Sequence, residues 1–172
     1  MHSKKSGFTL IELLVVVLII GILAAIAVPK YQAAVLKSKY QQFIIQGKAL
    51  KDSEERYYLE TGSYTPSWDE LDTEIPLTTT CTTSDPACAR TGNGFIVDLY
   101  YSSLKNILFY FNPDRKVYYS IWLHNSTEPD VRECGADTND AAANKLCASL
   151  GGVKNGVSAI AKYSGYTRYD LP

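Results

Sequence analysis

An uninterrupted apolar stretch near the N-terminus dominates the hydropathy pattern of this 172-residue chain. Residues 8–28 contain one ionisable side chain, that of Glu12, and they follow a polar segment, residues 1–7, that carries Lys4 and Lys5. As a helix the stretch would be about 32 Å long, which matches the roughly 30 Å hydrocarbon core of a bilayer. The lysines favour a cytoplasmic N-terminus. We therefore predict one membrane-spanning helix over residues 8–28, with the remainder of the chain outside the cytoplasm.

A narrower apolar stripe continues the helical periodicity beyond this stretch. Apolar or small residues recur at spacings of three and four, broken only by Glu54; they are Ala33, Leu36, Tyr40, Phe43, Gly47, Leu50 and Tyr57. Residues 29–62 are therefore predicted to extend the helix as an amphipathic rod, with Gly62 as its stop. We expect the stripe to pack against the chain's own globular domain, and contact with other subunits alone is the alternative.

Two helix-weakening residues, Gly21 and Pro29, bracket the last third of the apolar stretch. A glycine costs a helix about 1 kcal/mol, and a proline removes one i to i−4 hydrogen bond. We predict a kink or a loosened helix between them. A simple bend and a functional melting during assembly are equally open interpretations, because membrane helices tolerate both residue types.

The pattern after residue 62 predicts a globular head, residues 63–172, and an α+β chain overall. Residues 63–93 are rich in Thr, Ser and Pro and predict a long connecting loop. Residues 94–124 predict a small antiparallel sheet. Its strands are expected over residues 95–101, 107–111 and 116–123, with a hairpin turn over 112–115.

The C-terminal part of the head has a weaker pattern. Thr138 is predicted to cap a short helix over residues 139–150. Residues 134–152 form the predicted disulfide-closed region, and residues 153–172 receive no assignment.

Four cysteines fall into two local pairs, all beyond the apolar stretch. This location favours disulfides in an oxidising compartment, and sequential pairing closes the shortest loops. We predict bonds from Cys81 to Cys88 and from Cys134 to Cys147. Crossed pairings, free thiols and a metal site are the alternatives, of which zinc is weak because the short C-x(2–4)-C spacing is absent and only His124 lies on the same side.

The segment GFTLIELLVVV, residues 7–17, resembles the processing signal of type IV pilins and pseudopilins. The resemblance extends over residues 3–35. It implies that a prepilin peptidase cuts between Gly7 and Phe8, removes residues 1–7 as a leader and methylates the new amine of Phe8. It also implies a pilin-like fold, with a long helical spine packed on a small antiparallel sheet.

Cleavage would give Glu12 a partner. A carboxylate at membrane depth costs on the order of 2.5 to 3.5 kcal/mol on insertion scales, and the new α-amino group of Phe8 would be positively charged at neutral pH. The two groups could pair within one subunit or between neighbours in a filament, and the family resemblance favours the second arrangement. In an uncleaved chain, Glu12 could instead snorkel to the membrane surface.

Composition argues against several classes of function. The net charge is −1, and loss of Lys4 and Lys5 leaves 15 Lys and Arg against 18 Asp and Glu, or −3, so nucleic acid is not the default partner. His124 would be the only histidine after processing, and we expect no catalytic residues, no cofactor and no metal centre. Acidic residues at 69, 70, 72 and 74 could bind calcium but lack the known loop pattern, so a solvated stretch is favoured.

The pattern and the resemblance together predict a structural subunit of a type IV pilus, whose family roles include adhesion, motility and DNA uptake. A pseudopilin of a type II secretion system is the first alternative, and a minor filament-tip protein that binds through residues 63–93 is the second. The expected partners are other copies of the chain, the inner membrane, the prepilin peptidase and a pilus or type II secretion assembly platform. The subunit would reside in the inner membrane before assembly and in an extracellular or periplasmic filament afterwards.

Overall fold

The computed structural model describes residues 7–73, 75–82, 85–92, 94–100, 104–111, 115–158, 160 and 163–172. Two α-helices and eight strands form within these ranges. The helices are α1 (Leu10–Thr61) and α2 (Ala141–Ser149). The strands are β1 (Leu77–Thr82), β2 (Asp85–Thr91), β3 (Phe95–Tyr100), β4 (Asn106–Phe111), β5 (Val117–Trp122), β6 (Arg132–Asp137), β7 (Val153–Val157) and β8 (Tyr166–Asp170).

Helix α1 confirms that the apolar stretch and the amphipathic stripe form one continuous helix. It ends at Thr61, and Gly62 follows with a φ of +79°, a conformation that glycine adopts without steric cost. The chain divides into two compact units, Met1–Ser38 and Lys39–Pro172. We call the second one the globular unit; it contains the last part of α1 as well as the predicted head.

A single antiparallel sheet of eight strands organises the described part of the globular unit, in the order β1-β2-β3-β4-β5-β6-β8-β7. The first six strands follow one another in sequence, whereas β8 lies between β6 and β7. All six residues of β5 are buried, as are five of the six in β4. A strand buried on both sides requires cover on both faces of the sheet.

Helix α1 covers one face through aromatic side chains. The ring of Phe43 lies 4.9 Å from that of Phe95 and 5.6 Å from that of Phe109, measured between centroids. Tyr40 packs edge-on against Tyr119 and donates a hydrogen bond to a β5 carbonyl. The predicted stripe is therefore confirmed as a contact with the chain's own sheet, and the fold is the expected α+β arrangement of helix on antiparallel sheet.

The C-terminal segment covers the opposite face. Ile160 and Tyr163 join the core on this side, where Tyr163 lies 4.6 Å from the ring of Tyr118. The fully buried carboxylate of Glu133 accepts hydrogen bonds from the Tyr118 hydroxyl and from Trp122 Nε1. Burial raises the pKa of Glu133, and these donors oppose that rise.

Two sequence predictions in the globular unit are wrong, and one segment that received no assignment is structured. Residues 63–93 contain a short 3₁₀ helix and strands β1 and β2, not only a loop. The cap of α2 is Asp140, whose carboxylate accepts the Ala143 N–H at 2.9 Å, and Thr138 instead donates to the Gly165 carbonyl. The unassigned C-terminal residues provide two strands.

The middle of the sheet follows the prediction closely. Strands β3, β4 and β5 lie where alternating apolar and aromatic residues place them, each within one residue at either end. The last residue of the first predicted strand, Tyr101, and residues 112–114 of the hairpin turn lie outside the described residues. The antiparallel pairing of β4 with β5 agrees with the predicted hairpin.

Candidate functional site at the start of the first helix

The residues around the predicted processing point form a defined helix start. Gly7, Phe8 and Thr9 precede the first turn of α1 and are exposed. Glu12 lies in that first turn. The structure thus places the Gly7–Phe8 peptide bond outside the helix, in non-helical backbone.

Thr9 and Glu12 cap the helix reciprocally. The Glu12 carboxylate accepts hydrogen bonds from the Thr9 backbone N–H at 2.8 Å and from the Thr9 hydroxyl at 2.7 Å. In return, the Thr9 hydroxyl oxygen accepts the Glu12 backbone N–H at 3.3 Å. This is a capping box, which satisfies N–H groups that otherwise lack partners at a helix start. A negative charge there also interacts favourably with the helix dipole.

The capping box was missed in the sequence analysis, although its signal is present in the residues Thr9-Leu10-Ile11-Glu12. A threonine followed three residues later by a glutamate, just before an apolar run, marks a helix N-terminus. The side chain of Glu12 therefore has hydrogen-bond donors within its own chain. A role in pairing with the Phe8 amine has to operate beside this local role.

The apolar side chains that follow in α1 are exposed. Every large apolar residue between Phe8 and Val28 is between 44% and 77% exposed. By length and composition, this helix is long and apolar enough to cross a membrane. The helix runs on through Gly21 and Pro29 without ending at either residue; local loosening there stays a prediction.

The cysteines lie in the globular unit, in the two pairs that their spacing predicts. Cys81 in β1 is bonded to Cys88 in β2, and Cys134 in β6 is bonded to Cys147 in α2. The first bond ties the two strands of an edge hairpin together. The second fixes α2 against the sheet. Both bonds stabilise the fold by restricting the unfolded chain.

Two of the acidic residues considered for calcium, Glu70 and Asp72, have protein partners. Asp72 accepts hydrogen bonds from Arg56 and Ser53, and these hold the pKa of Asp72 down at about 2. Glu70 accepts a hydrogen bond from the Thr65 hydroxyl, and Glu74 lies outside the described residues. Across the described ranges, no group of three His, Cys, Asp or Glu side chains is arranged to hold a metal ion.

Comparison with known proteins finds a motif and several relatives that match the N-terminal part of the chain. Residues 2–28 match the model of the prokaryotic N-terminal methylation motif. The type IV major pilin protein PilE1 of Neisseria gonorrhoeae is 39% identical over 64 residues, which cover 37% of this chain and 39% of the relative. A fimbrial protein of Pseudomonas aeruginosa is 40% identical over 75 residues, which cover 44% of this chain and 49% of the relative.

Residues 2–28 thus carry an N-terminal methylation motif, and part of the chain is similar to type IV pilin and fimbrial proteins. These matches confirm the resemblance seen in residues 7–17. A fimbrial protein of Neisseria meningitidis serogroup B gives a similar match, 39% identical over 64 residues. The matches span between about 38% and 49% of the length of these pilin and fimbrial relatives. No solved structure gives a significant match.

Proposed function

We propose that this chain is a structural subunit of a type IV pilus-like filament and that it polymerises through its N-terminal helix. One observation carries the proposal: a prokaryotic N-terminal methylation motif lies at the start of a helix whose large apolar side chains are all exposed as far as Val28. A surface of this kind needs lipid or other apolar surfaces around it. A bilayer before assembly and neighbouring helices after assembly would meet that need in turn.

Processing would begin at the exposed Gly7–Phe8 peptide bond. Hydrolysis by a prepilin peptidase would release residues 1–7 with a new carboxylate on Gly7 and would leave a free amine on Phe8. Methylation of that amine would keep its positive charge. The location of the bond in exposed, non-helical backbone supports access by a peptidase.

The new amine would be adjacent to the capping box. The amine nitrogen would belong to Phe8, the residue directly before Thr9. The backbone N–H of Thr9 already donates a hydrogen bond to the Glu12 carboxylate. Burial of the Phe8 amine or of Glu12 alone in an apolar bundle would leave an unpaired charge, at a cost of roughly 3 to 5 kcal/mol. Pairing Glu12 of one subunit with the Phe8 amine of its neighbour removes that cost and favours a single axial register.

The names of the relatives favour a pilus over a secretion pseudopilus, because those reported above are pilins or fimbrial proteins. A minor tip protein is the second candidate, and copy number distinguishes it from a scaffold subunit. No catalytic role is part of this proposal. The expected path runs from the inner membrane, with the globular unit outside the cytoplasm, to an extracellular filament.

Shearing of filaments from the native host tests the proposal. Cells with and without the gene are sheared, and the filament fraction is examined by electron microscopy and quantitative mass spectrometry. We expect this chain to be the most abundant protein of the filaments, which should be absent from the deletion strain. A trace amount in filaments that persist without it would contradict a scaffold role, and retention in the periplasm would favour the pseudopilin alternative.

A further inference from the structure

A groove in the globular unit opens between helix α1 and strands β5 and β6. Its floor is apolar and consists of Ile44, Tyr119 and Ile121. Its volume is about 240 Å³, which is below the roughly 300 to 1,000 Å³ of pockets that enclose small-molecule ligands. The groove is therefore of a size for one or two side chains of another protein surface.

The rim of the groove carries a surplus of positive charge. Lys48, Lys51 and Arg132 line it, together with the carboxylates of Asp52 and Asp130. Lys51 is already engaged, because it forms an ion pair with Asp130. Lys48 and Arg132 form no ion pair within the described part of the chain. They therefore remain available to an incoming negative group.

Tyr119 adds a second observation that points to a ligand. Its side chain is fully buried at the base of the groove, and its hydroxyl has no hydrogen-bond partner among the described residues. Buried polar atoms are rarely left unpaired, because the lost hydrogen bond to water is not replaced. Tyr119 shares the lining of the groove with Lys48 and Arg132, so its hydroxyl could donate to a carboxylate oxygen that the two cations attract.

We propose that this groove binds a carboxylate side chain of a second copy of this chain. The inference rests on the proposed polymerisation and adds to it a contact between globular units. Lys48 and Arg132 would hold the carboxylate, and Ile44 and Ile121 would contact the apolar part of the same side chain. The Tyr119 hydroxyl would gain the partner that it lacks.

Charge complementarity supports a second copy as the occupant. Residues 39–172 contain 13 Lys and Arg against 17 Asp and Glu, so a positive groove on one copy would meet a globular unit with an excess of acidic residues on another. The same excess of acidic residues disfavours a polyanion such as DNA. Glu60 and Asp69 are exposed carboxylates with no ion pair among the described residues, and they are the specific groups that we assign to the groove.

Carbodiimide cross-linking of intact filaments tests the contact, because this reagent joins a lysine amine directly to a nearby carboxylate. We expect a dimer band whose digest contains Lys48 joined to Glu60 or Asp69. The matched variant is Lys48→Arg, which keeps the charge but removes the amine. It should lose this cross-link.

Charge reversal gives a second readout. Lys48→Glu and Arg132→Glu should each lower the ratio of sheared filament to membrane subunit by at least about tenfold, because each places a negative charge against the incoming carboxylate. Lys154→Glu, an equal change in the exposed edge strand β7, which contributes no residue to the groove, should leave the ratio unchanged. Filaments in which Lys48 joins only carboxylates of its own chain, and which tolerate both reversals, would overturn the groove contact. Absence of wild-type filaments would instead count against the proposed function.

Discussion

Glu12 has two roles in this account, and they occur in different states of the chain. In the single chain, its carboxylate closes the capping box with Thr9. In a filament it would neutralise the Phe8 amine of a neighbour. A glutamine can close a capping box but cannot neutralise a positive charge. The substitution Glu12→Gln therefore separates the two roles.

We predict that Glu12→Gln and Glu12→Leu both assemble poorly, whereas Glu12→Asp retains part of the wild-type yield. An unpaired amine costs at least about 3 kcal/mol in an apolar bundle, which corresponds to a loss of more than about a hundredfold in filament yield. The measurement is sheared filament relative to total membrane subunit. Membrane content should not fall, since loss of the carboxylate makes insertion easier.

A different set of filament yields would show that assembly needs the capping box and not the charge of Glu12. If Glu12→Gln formed filaments as well as wild type while Glu12→Leu did not, the local hydrogen bonds with Thr9 would explain the need for Glu12. Wild-type yield from both variants would refute the charge-pairing mechanism altogether.

Glu54 is the second residue whose chemistry departs from its surroundings. It breaks the apolar stripe of α1, yet its side chain is buried and accepts the Thr65 N–H at 3.1 Å. Burial is the main cause that raises the pKa of Glu54 to about 7, and the nearby carboxylates of Glu55 and Glu70 add to the rise. The folded globular unit therefore favours the protonated form.

This pKa predicts how stability changes with pH. The stability gained by protonating Glu54 is complete below its ordinary pKa of 4.5 and is lost as pH rises through 7. Glu54→Gln, which keeps an acceptor for Thr65, should therefore be more stable than wild type at pH 8 by about 1 to 3 kcal/mol. The difference should vanish near pH 4.5. Denaturant unfolding of the full chain in detergent at both pH values measures it, and an equal difference at both would disprove the assignment.

At the scale of elements, the contact between α1 and the sheet depends on a small residue at one crossing point. A Cβ atom placed on Gly47 would lie 2.7 Å from a ring carbon of Tyr119 and 3.2 Å from one of Phe109. Both rings are fully buried, so neither can move away freely. The absence of a side chain allows the helix and the aromatic layer to approach this closely.

Gly47→Ala should consequently destabilise the globular unit. Overpacking costs about 1 to 3 kcal/mol, against a gain of roughly 1 kcal/mol from better helix propensity, so we expect a net loss of about 1 kcal/mol. A double-mutant cycle provides the control: Tyr119→Leu removes the nearest ring carbon, and Gly47→Ala should then be harmless or stabilising. Additive effects of the two substitutions would show that the steric explanation is wrong.

The elements that could be predicted from the sequence are those whose buried residues recur at regular spacing along the chain. The stripe through Tyr40, Phe43 and Leu50 predicts α1 because one helix face is buried, and β4 and β5 are rich in buried aromatic and β-branched residues. Strand β7 gives no such signal, since all five of its residues are exposed at a sheet edge. Strands β1 and β2 consist largely of residues typical of loops, and their pairing across a disulfide is a tertiary effect.

The candidate site was predictable only in part, for a similar reason. Gly7, Phe8 and Glu12 lie within six consecutive residues, so a local sequence motif is enough to identify them. The groove at Lys48 and Arg132 joins residues that are 84 positions apart in the chain. Such a site depends on how α1 crosses the sheet, which no local pattern reveals.

At the scale of the whole molecule, the chain combines a bare apolar helix with an independently compact globular unit. The first supplies a surface that lipid and neighbouring helices can cover in turn. The second is stabilised by an eight-stranded sheet and two disulfides within its described residues. A filament subunit would need both parts, and we expect its assembly to require processing at the Gly7–Phe8 peptide bond.

The intact mass of the chain in sheared native filaments tests this account most directly. We predict a chain that starts at Phe8, carries one methyl group on its N-terminal amine and contains two disulfides. Fragmentation from the N-terminus would locate the methyl group on Phe8. A filament chain that retains residues 1–7, or one that is cut at a different peptide bond, would contradict the account, because the Phe8 amine would not exist to pair with Glu12.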